Sequence, residues 1–260
     1  MNLLVVDVGN TNIVLGIFRG EELAASWRIA TARERTDDEY GIVVRQLIEA
    51  GAMPHLDAAI VASVVPPLDG VIRRMLTRYF DLDPVFVQPG IKTGLAIKTE
   101  NPLEVGADRI ANAVAALELY GAPTIVVDFG TATTFDLVGE GGEYRGGLIA
   151  PGLTISAEAL FARAARLPRV EIRRPEQVIG TSTVASMQAG LFWGYLGTID
   201  GILGRMIDEI GAVRTVVATG EIIPGLVEES RLIERIDPDL TLRGLRIIEE
   251  RNRKRPRSRT

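Results

Sequence analysis

The 260-residue chain contains no cysteine and a single histidine, His55. The first absence excludes disulfides, thiolate nucleophiles and cysteine-ligated metals. The second leaves one residue to serve any Ser-His-Asp triad or histidine-based metal site. His55 lies in "AGAMPHLDAA", which reads as a loop before a strand, and it is expected at the surface. The most apolar long window, "QAGLFWGYLGTIDGILG" (188–204), carries Asp200 and five glycines, so it does not read as a membrane span. The N-terminus opens directly on a strand pattern, with no basic leader and no small-residue cleavage site. No signal peptide is expected, and the cytoplasm is the expected compartment. Two nucleotide-binding signatures are also missing: GxxxxGK[ST], and a GxGxxG that opens a helix after a strand.

What is present has the balance of a soluble globular protein, 47% hydrophobic and 24% charged. The length suits one large domain or two of about 125 residues. Net charge is −5, yet the last ten residues, "RNRKRPRSRT", hold six basic groups and no acid. Residues 1–250 therefore carry −11. A body that acidic argues against a nucleic-acid surface, and 251–260 reads as a disordered, solvated basic tail.

The first thirty residues read as three hairpin-linked strands, "NLLVVDV", "NIVLGIFRG" and "ELAASWRIAT", with Gly20-Glu21 at the second turn. "TDDEYGIVVRQLIEAG" reads as a helix capped by Thr36 or Asp37. "DAAIVASVV" reads as a buried strand stopped by Pro66-Pro67, followed by an amphipathic helix in "PLDGVIRRMLTRYF". A further helix is expected from about Ala107 to Tyr120. Then the opening pattern returns in "PTIVVDFGTATTFDLV": strand, Asp, any residue, Gly, Thr, strand. Asp128 lies 121 residues beyond Asp7, Gly130 answers Gly9, and Thr131 matches Thr11. A third strand, "EYRGGLIAPG", and a helix from about Leu153 to Ala165 follow. Later, "TVVATGEIIPGL" (215–226) echoes "AAIVASVVPPL" (58–68). Echoes in the same order imply duplication of one α/β unit, with halves at 1–120 and 121–250.

A strand that ends in Asp-x-Gly and turns straight into a second strand makes a hairpin. Glycine there brings backbone close to a ligand, and the turn N–H groups can point at an anion. The aspartate would hold a cation, or water on that cation, which neutralises phosphate. Two such turns, one per half, would grip a polyphosphate from both sides of a cleft. Each turn taken alone reads first as a tight hairpin with an Asx turn; the repetition, with matching Thr11 and Thr131, shifts the balance to the phosphate reading. Asp108, in "VGADRIAN", reads from spacing alone as a helix N-cap or first-turn acid. Phe192, Trp193, Tyr195 and Leu196 have helical spacing and are expected in a core or dimer interface, with Met187 as packing. Arg163, Arg166, Arg169, Arg173 and Arg174 read as a solvated face in preference to a phosphate-meeting lid.

Together, "DVGNTN", "GADRIANAVAA", "DFGTATTFD", "GGLIAPGL" and "TVASMQAGLFWG" resemble the type III pantothenate kinases, over roughly residues 2–250 and in the family's order. The resemblance implies the duplicated ribonuclease-H-like fold of actin, sugar kinases and heat-shock ATPases. It implies ATP-dependent phosphorylation of pantothenate to 4′-phosphopantothenate, at the start of coenzyme A synthesis, by a homodimer. Asp7, Val8, Gly9, Asn10, Thr11, Asn12, Ile13 and Val14 would form the first phosphate loop, with Asp7 near the magnesium that accompanies ATP. Asp128 would bind potassium or ammonium, and Thr131 would contact the ATP phosphates. Gly106, Ala107, Asp108 and Arg109 would line the pantothenate pocket, Asp108 as general base, with Thr183 also touching substrate. Thr99 stands where members commonly carry a tyrosine that packs on pantothenate, and Glu221 stands where "ATGG" would have its second glycine. Two other readings are a regulatory or binding protein on the same scaffold, and a kinase of another small alcohol.

Overall fold

The opening alternation folds as three antiparallel strands in the computed structural model, which describes residues 1–51, 55–164 and 167–253. These are β1 (Asn2–Val8), β2 (Asn12–Arg19) and β3 (Glu22–Ala30). Helix α1 (Asp37–Ala50) is capped by Thr36, not Asp37. Thr36 Oγ1 accepts from Glu39 N while Glu39 accepts from Thr36 N, a reciprocal capping box. Strand β4 (Ala58–Ser63) then pairs parallel with β1. Pro66 and Pro67 end that run and also open α2 (Pro66–Phe80), where a missing N–H costs no helical bond. After β5 (Val85–Phe86), the first sheet has the order β3-β2-β1-β4-β5. Its inward residues are those alternation predicts: Leu4, Val6 and Val8 of β1 meet Ile13, Leu15 and Ile17 of β2. Tyr40 and Val44 of α1 and Leu68, Ile72 and Met75 of α2 close over them.

A 3₁₀ turn at Pro102–Glu104 precedes α3 (Ala107–Tyr120), and the pattern then repeats. Strands β6 (Thr124–Phe129), β7 (Ala132–Val138) and β8 (Tyr144–Pro151) are followed by α4 (Leu153–Arg163) and α5 (Thr183–Ile210). Next come β9 (Thr215–Gly220), α6 (Leu226–Glu229), β10 (Arg235–Ile236) and α7 (Leu240–Asn252). The second sheet runs β10-β9-β6-β7-β8, the first order over again. The register repeats too. Leu3 pairs with Ala58 as Thr124 pairs with Thr215, and Asp7 with Ala62 as Asp128 with Thr219. This is a duplicated ribonuclease-H-like fold. Phe192, Tyr195, Leu196 and Met187 are buried, all but Met187 in the second core, and Trp193 packs at that core's edge.

The chain divides into two units: Met1–Leu95 with Glu100–Ala115 and the chain from Leu240 on, and Ala96–Thr99 with Ala116–Asp239. They differ from consecutive halves at 1–120 and 121–250, because α7 returns to the first unit. Its Leu240, Leu242, Leu245 and Ile248 are buried, and Leu242 lies against Gly16 of β2. At Gly244 the helix approaches the backbone of Ala111 in α3 so closely that no Cβ fits. The short segment before Thr99 joins the second unit by pairing with Tyr144: Tyr144 N donates to Ala96 O, and Lys98 N donates to Tyr144 O, each at 2.8 Å. The expected basic tail begins too early. Arg251 and Asn252 are the last turn of α7; Arg251 donates to Thr93 O and Asn252 Nδ2 to Lys92 O, while Arg253 pairs with Glu249. The rest of that expected tail, 254–260, and Ala165 and Arg166 lie outside the described residues.

Candidate functional site

Each Asp-Gly turn is a short hairpin joining two antiparallel strands. In the first, Gly9 N donates to Asn12 O at 3.0 Å. The turn is tied to the end of β3: Thr31 N donates to Thr11 O at 2.9 Å, and Thr31 Oγ1 to Gly9 O at 2.7 Å. A Cβ on Gly9 would stand 2.9 Å from Asn12 O, too close for any other residue. The eight residues expected to form the phosphate loop divide by face. Val8 and Ile13 are buried in the core, so they anchor the loop and offer a ligand only backbone. Asn10 and Thr11 are exposed, while Asp7, Gly9, Asn12 and Val14 are half-buried.

In the second hairpin Gly130 N donates to Ala132 O at 3.1 Å, and Gly152 N, just past β8, donates to Thr131 O at 3.1 Å. Thr11 and Thr131 thus hold equivalent places, each with its carbonyl taken by the residue after the third strand. The registers show one residue fewer in the second loop. Val8 faces Ile13 across four turn residues, whereas Phe129 faces Thr133 across three. Asn10 is the additional residue, and its Oδ1 accepts from Arg33 at 3.1 Å.

Gly106 is the N-cap of α3, since its carbonyl accepts from Ile110 N at 3.1 Å. Asp108 is a first-turn acid whose Oδ1 accepts from Arg109 N at 2.8 Å. That oxygen lies over the Cα of Gly106, where a Cβ would push it aside. The same glycine is close to Val64, and Val64 N donates to Val8 O at 3.0 Å. Asp7 and the Gly106–Arg109 turn therefore belong to the same end of the first sheet, beyond the carboxyl ends of β1 and β4. Ala107 is buried; Asp108 and Arg109 are half-buried.

In the second unit Asp128 ends β6, with an oxygen over Gly220. Thr183 is the first residue of α5 after its cap, Ser182, whose Oγ accepts from Ala185 N at 3.2 Å. Thr183 lines an open cavity of about 800 Å³ with Leu160, Ser186, Met187 and Leu191. Thr99 packs beside Gly146 of β8. His55 is exposed, and its carbonyl accepts from Asn2 Nδ2. Arg163, Arg169, Arg173 and Arg174 are exposed, and Arg174 pairs with Glu229 at 2.6 Å.

Sequence reasoning passed over several polar residues here. Asp136 is fully buried and accepts from Tyr144 Oη at 2.7 Å and Thr134 Oγ1 at 3.0 Å. Tyr195 bonds Thr133, and burial pushes its phenol above the ordinary value, with the Asp128 charge adding to the shift. Gly152 supports the second hairpin. Its signal was already visible in the "APGL" that ends β8. Among the described residues no three Asp, Glu or His side chains gather as a metal cluster, and no helix is long and apolar enough to cross a membrane.

The family model for type III pantothenate kinase matches residues 3–205. The type III pantothenate kinase of Koribacter versatilis is 54% identical over 99% of this chain and 98% of its own. That of Moorella thermoacetica is 54% identical over 96% and 99%. Among solved structures, the activator of the 2-hydroxyisocaproyl-CoA dehydratase from Clostridium difficile, with bound ADPNP, shares the fold. It aligns with a TM-score of 0.54 over 99% of this chain and all of that one, at 14% identity. Two repeated sheets, paired Asp-Gly hairpins and near-complete similarity at this level have one joint meaning: the chain belongs to the type III pantothenate kinase family.

Proposed function

We propose that this protein transfers the γ-phosphoryl group of ATP to the primary alcohol of pantothenate, giving 4′-phosphopantothenate for coenzyme A synthesis. The observation that carries the reading is the Gly106–Arg109 turn, which holds a carboxylate at the same end of the sheet as the first hairpin. Phosphoryl transfer depends on positioning and charge neutralisation. The N–H groups of residues 7–14 and of Thr131 bind the phosphates. Asp108 accepts the hydroxyl proton as the new bond forms, an effect worth about 10²–10⁴-fold. Arg109 holds the pantothenate carboxylate through paired N–H bonds. Thr183 and Thr99 complete the substrate contacts.

Magnesium enters with ATP and neutralises phosphate charge. Asp7 would hold it, directly or through water. With no three acids gathered among the described residues, phosphate and water supply the rest of its shell, as this ion prefers. Asp128 would hold potassium or ammonium. The active form is a homodimer. A row of glycines on α5 supports this: Gly190, Gly194, Gly197, Gly201 and Gly204, spaced four and three apart. A Cβ at four of them (all but Gly201) would meet nothing within 4 Å, so one face of a 28-residue helix is left smooth for close approach. The compartment is the cytoplasm.

Purified protein with ATP, magnesium, potassium and pantothenate is expected to form 4′-phosphopantothenate, detected by mass. Turnover of another alcohol alone would replace the substrate, and absence of any ATP-dependent phosphorylation would leave a binding protein.

A further inference from the structure

Duplication allows each aspartate of the paired hairpins to be compared with its own counterpart. Asp7 is flanked in register by Val14 on β2 and Ala62 on β4. Asp128 is flanked by Thr134 on β7 and Thr219 on β9. The two positions beside the carboxylate are thus apolar in the first unit and hydroxylated in the second.

Those threonines face the same way as Asp128. The neighbouring residues Val127, Phe129, Phe135 and Ala218 all point into the second core, so alternation sends Asp128, Thr134 and Thr219 to the opposite face. Thr134 gives its proton to Asp136, which leaves its lone pairs for a neighbour. Thr219 is 1% exposed, and its Oγ1 has no hydrogen-bond partner. A buried hydroxyl without a partner is costly, and valine would fill the same space without that cost. Asp128 leans toward this strand, with Oδ1 over Gly220, the residue after Thr219.

We infer that Thr219 Oγ1, with Thr134 Oγ1, completes a monovalent-cation site whose single charge is supplied by Asp128. The inference rests on the proposed role of Asp128 and deepens it by naming what selects a singly charged ion. One carboxylate balances one positive charge, and hydroxyl oxygens add ligands without adding charge. Magnesium at Asp7 takes its further negative charge from phosphate and keeps water ligands, whereas neutral hydroxyls in place of those ligands suit an ion that needs no second charge.

The test reads ion binding, not turnover. Thermal unfolding of the full chain is followed while potassium chloride replaces tetramethylammonium chloride at constant ionic strength, with and without a non-hydrolysable ATP analogue. Direct binding of thallous ion, a potassium mimic, is measured alongside. The parent is expected to titrate saturably and Asp128→Asn to lose the response. Thr219→Val is expected to need about tenfold more potassium or beyond. Its ion-free midpoint is expected to equal or exceed the parent's, because an orphaned hydroxyl has been removed. Thr219→Ser is expected to bind like the parent. A Thr219→Val protein that titrates like the parent, beside an Asp128→Asn protein that does not, would overturn the hydroxyl's role and leave Asp128 standing. An ion-free midpoint below the parent's in Thr219→Val would show a structural bond and overturn it too. An Asp128→Asn protein that still titrates normally, or a parent that never titrates, would remove the reading beneath.

Discussion

Replacing Gly106 by alanine adds one methyl group where the structure has no room for it. The new Cβ would lie 2.4 Å from Asp108 Oδ1, whereas Cβ atoms are essentially never closer than 3.0 Å to another atom. The backbone has no reason to resist, because Gly106 is not among the positive-φ glycines. The strain falls on the carboxylate, which must retreat by at least the difference, about 0.6 Å, and give up its bond to Arg109 N. Loss of a good N-cap costs less than about 1 kcal/mol, partly offset by a stiffer unfolded chain. Stability is therefore expected to change little. A misplacement approaching 1 Å at a catalytic group costs on the order of 10²-fold. The expected result is a kcat reduced by 10- to about 100-fold, an ATP KM near the parent's and an unfolding midpoint within a few degrees. Asp108→Asn is the reference, expected to fold normally and lose most turnover. If Gly106→Ala retained full kcat while Asp108→Asn did not, the carboxylate would not need the position seen here. If both retained it, Asp108 would not be the base.

Gly152→Ala puts a Cβ 2.5 Å from Thr131 O, with Gly130 O nearer still. Both are backbone atoms that cannot rotate away, so the second hairpin must move; the ATP KM is expected to rise about tenfold with the pantothenate KM unchanged, and unchanged values for both would detach this hairpin from the phosphates. Thr36→Ala removes the capping box of α1 and is expected to cost about 1 kcal/mol in denaturant unfolding, with kcat unaltered. Tyr195 titrates late because burial disfavours its phenolate, so the stability it lends is present below its ordinary value of 10.0 and disappears as pH rises through the raised folded value. An ultraviolet phenolate titration of the parent minus Tyr195→Phe is expected to show one tyrosine ionising above 10.0, and a normal titration would place that hydroxyl in water.

Much of the architecture was legible because it is locally encoded. Alternation along β1, β2 and β6, the Thr36 cap, Pro66-Pro67 and the glycine turns each specify their own segment. The repeated Asp-Gly pattern declared the duplication, and the spacing from Asp7 to Asp128 fixed how the halves align. Within the candidate site, the residue types were readable and their faces were not. Val8 and Ile13 belong to the same run as Asp7, yet only the core packing turns them inward. Thr219 carried no chemical signal until β9 was laid beside Asp128.

The sequence by itself determined strands β1–β4 and β6–β9, helices α1–α4, their order, the duplication and the two glycine hairpins, since each depends on residues a few positions apart. Tertiary structure alone decided that α7 returns to the first unit, that the chain through Asn252 is helix where a tail was expected, and that hydroxyls flank one aspartate and hydrocarbon the other. The physical reason is range: periodicity tells a segment which face to bury, but its partner, dozens to hundreds of residues away, is chosen by packing and strand register.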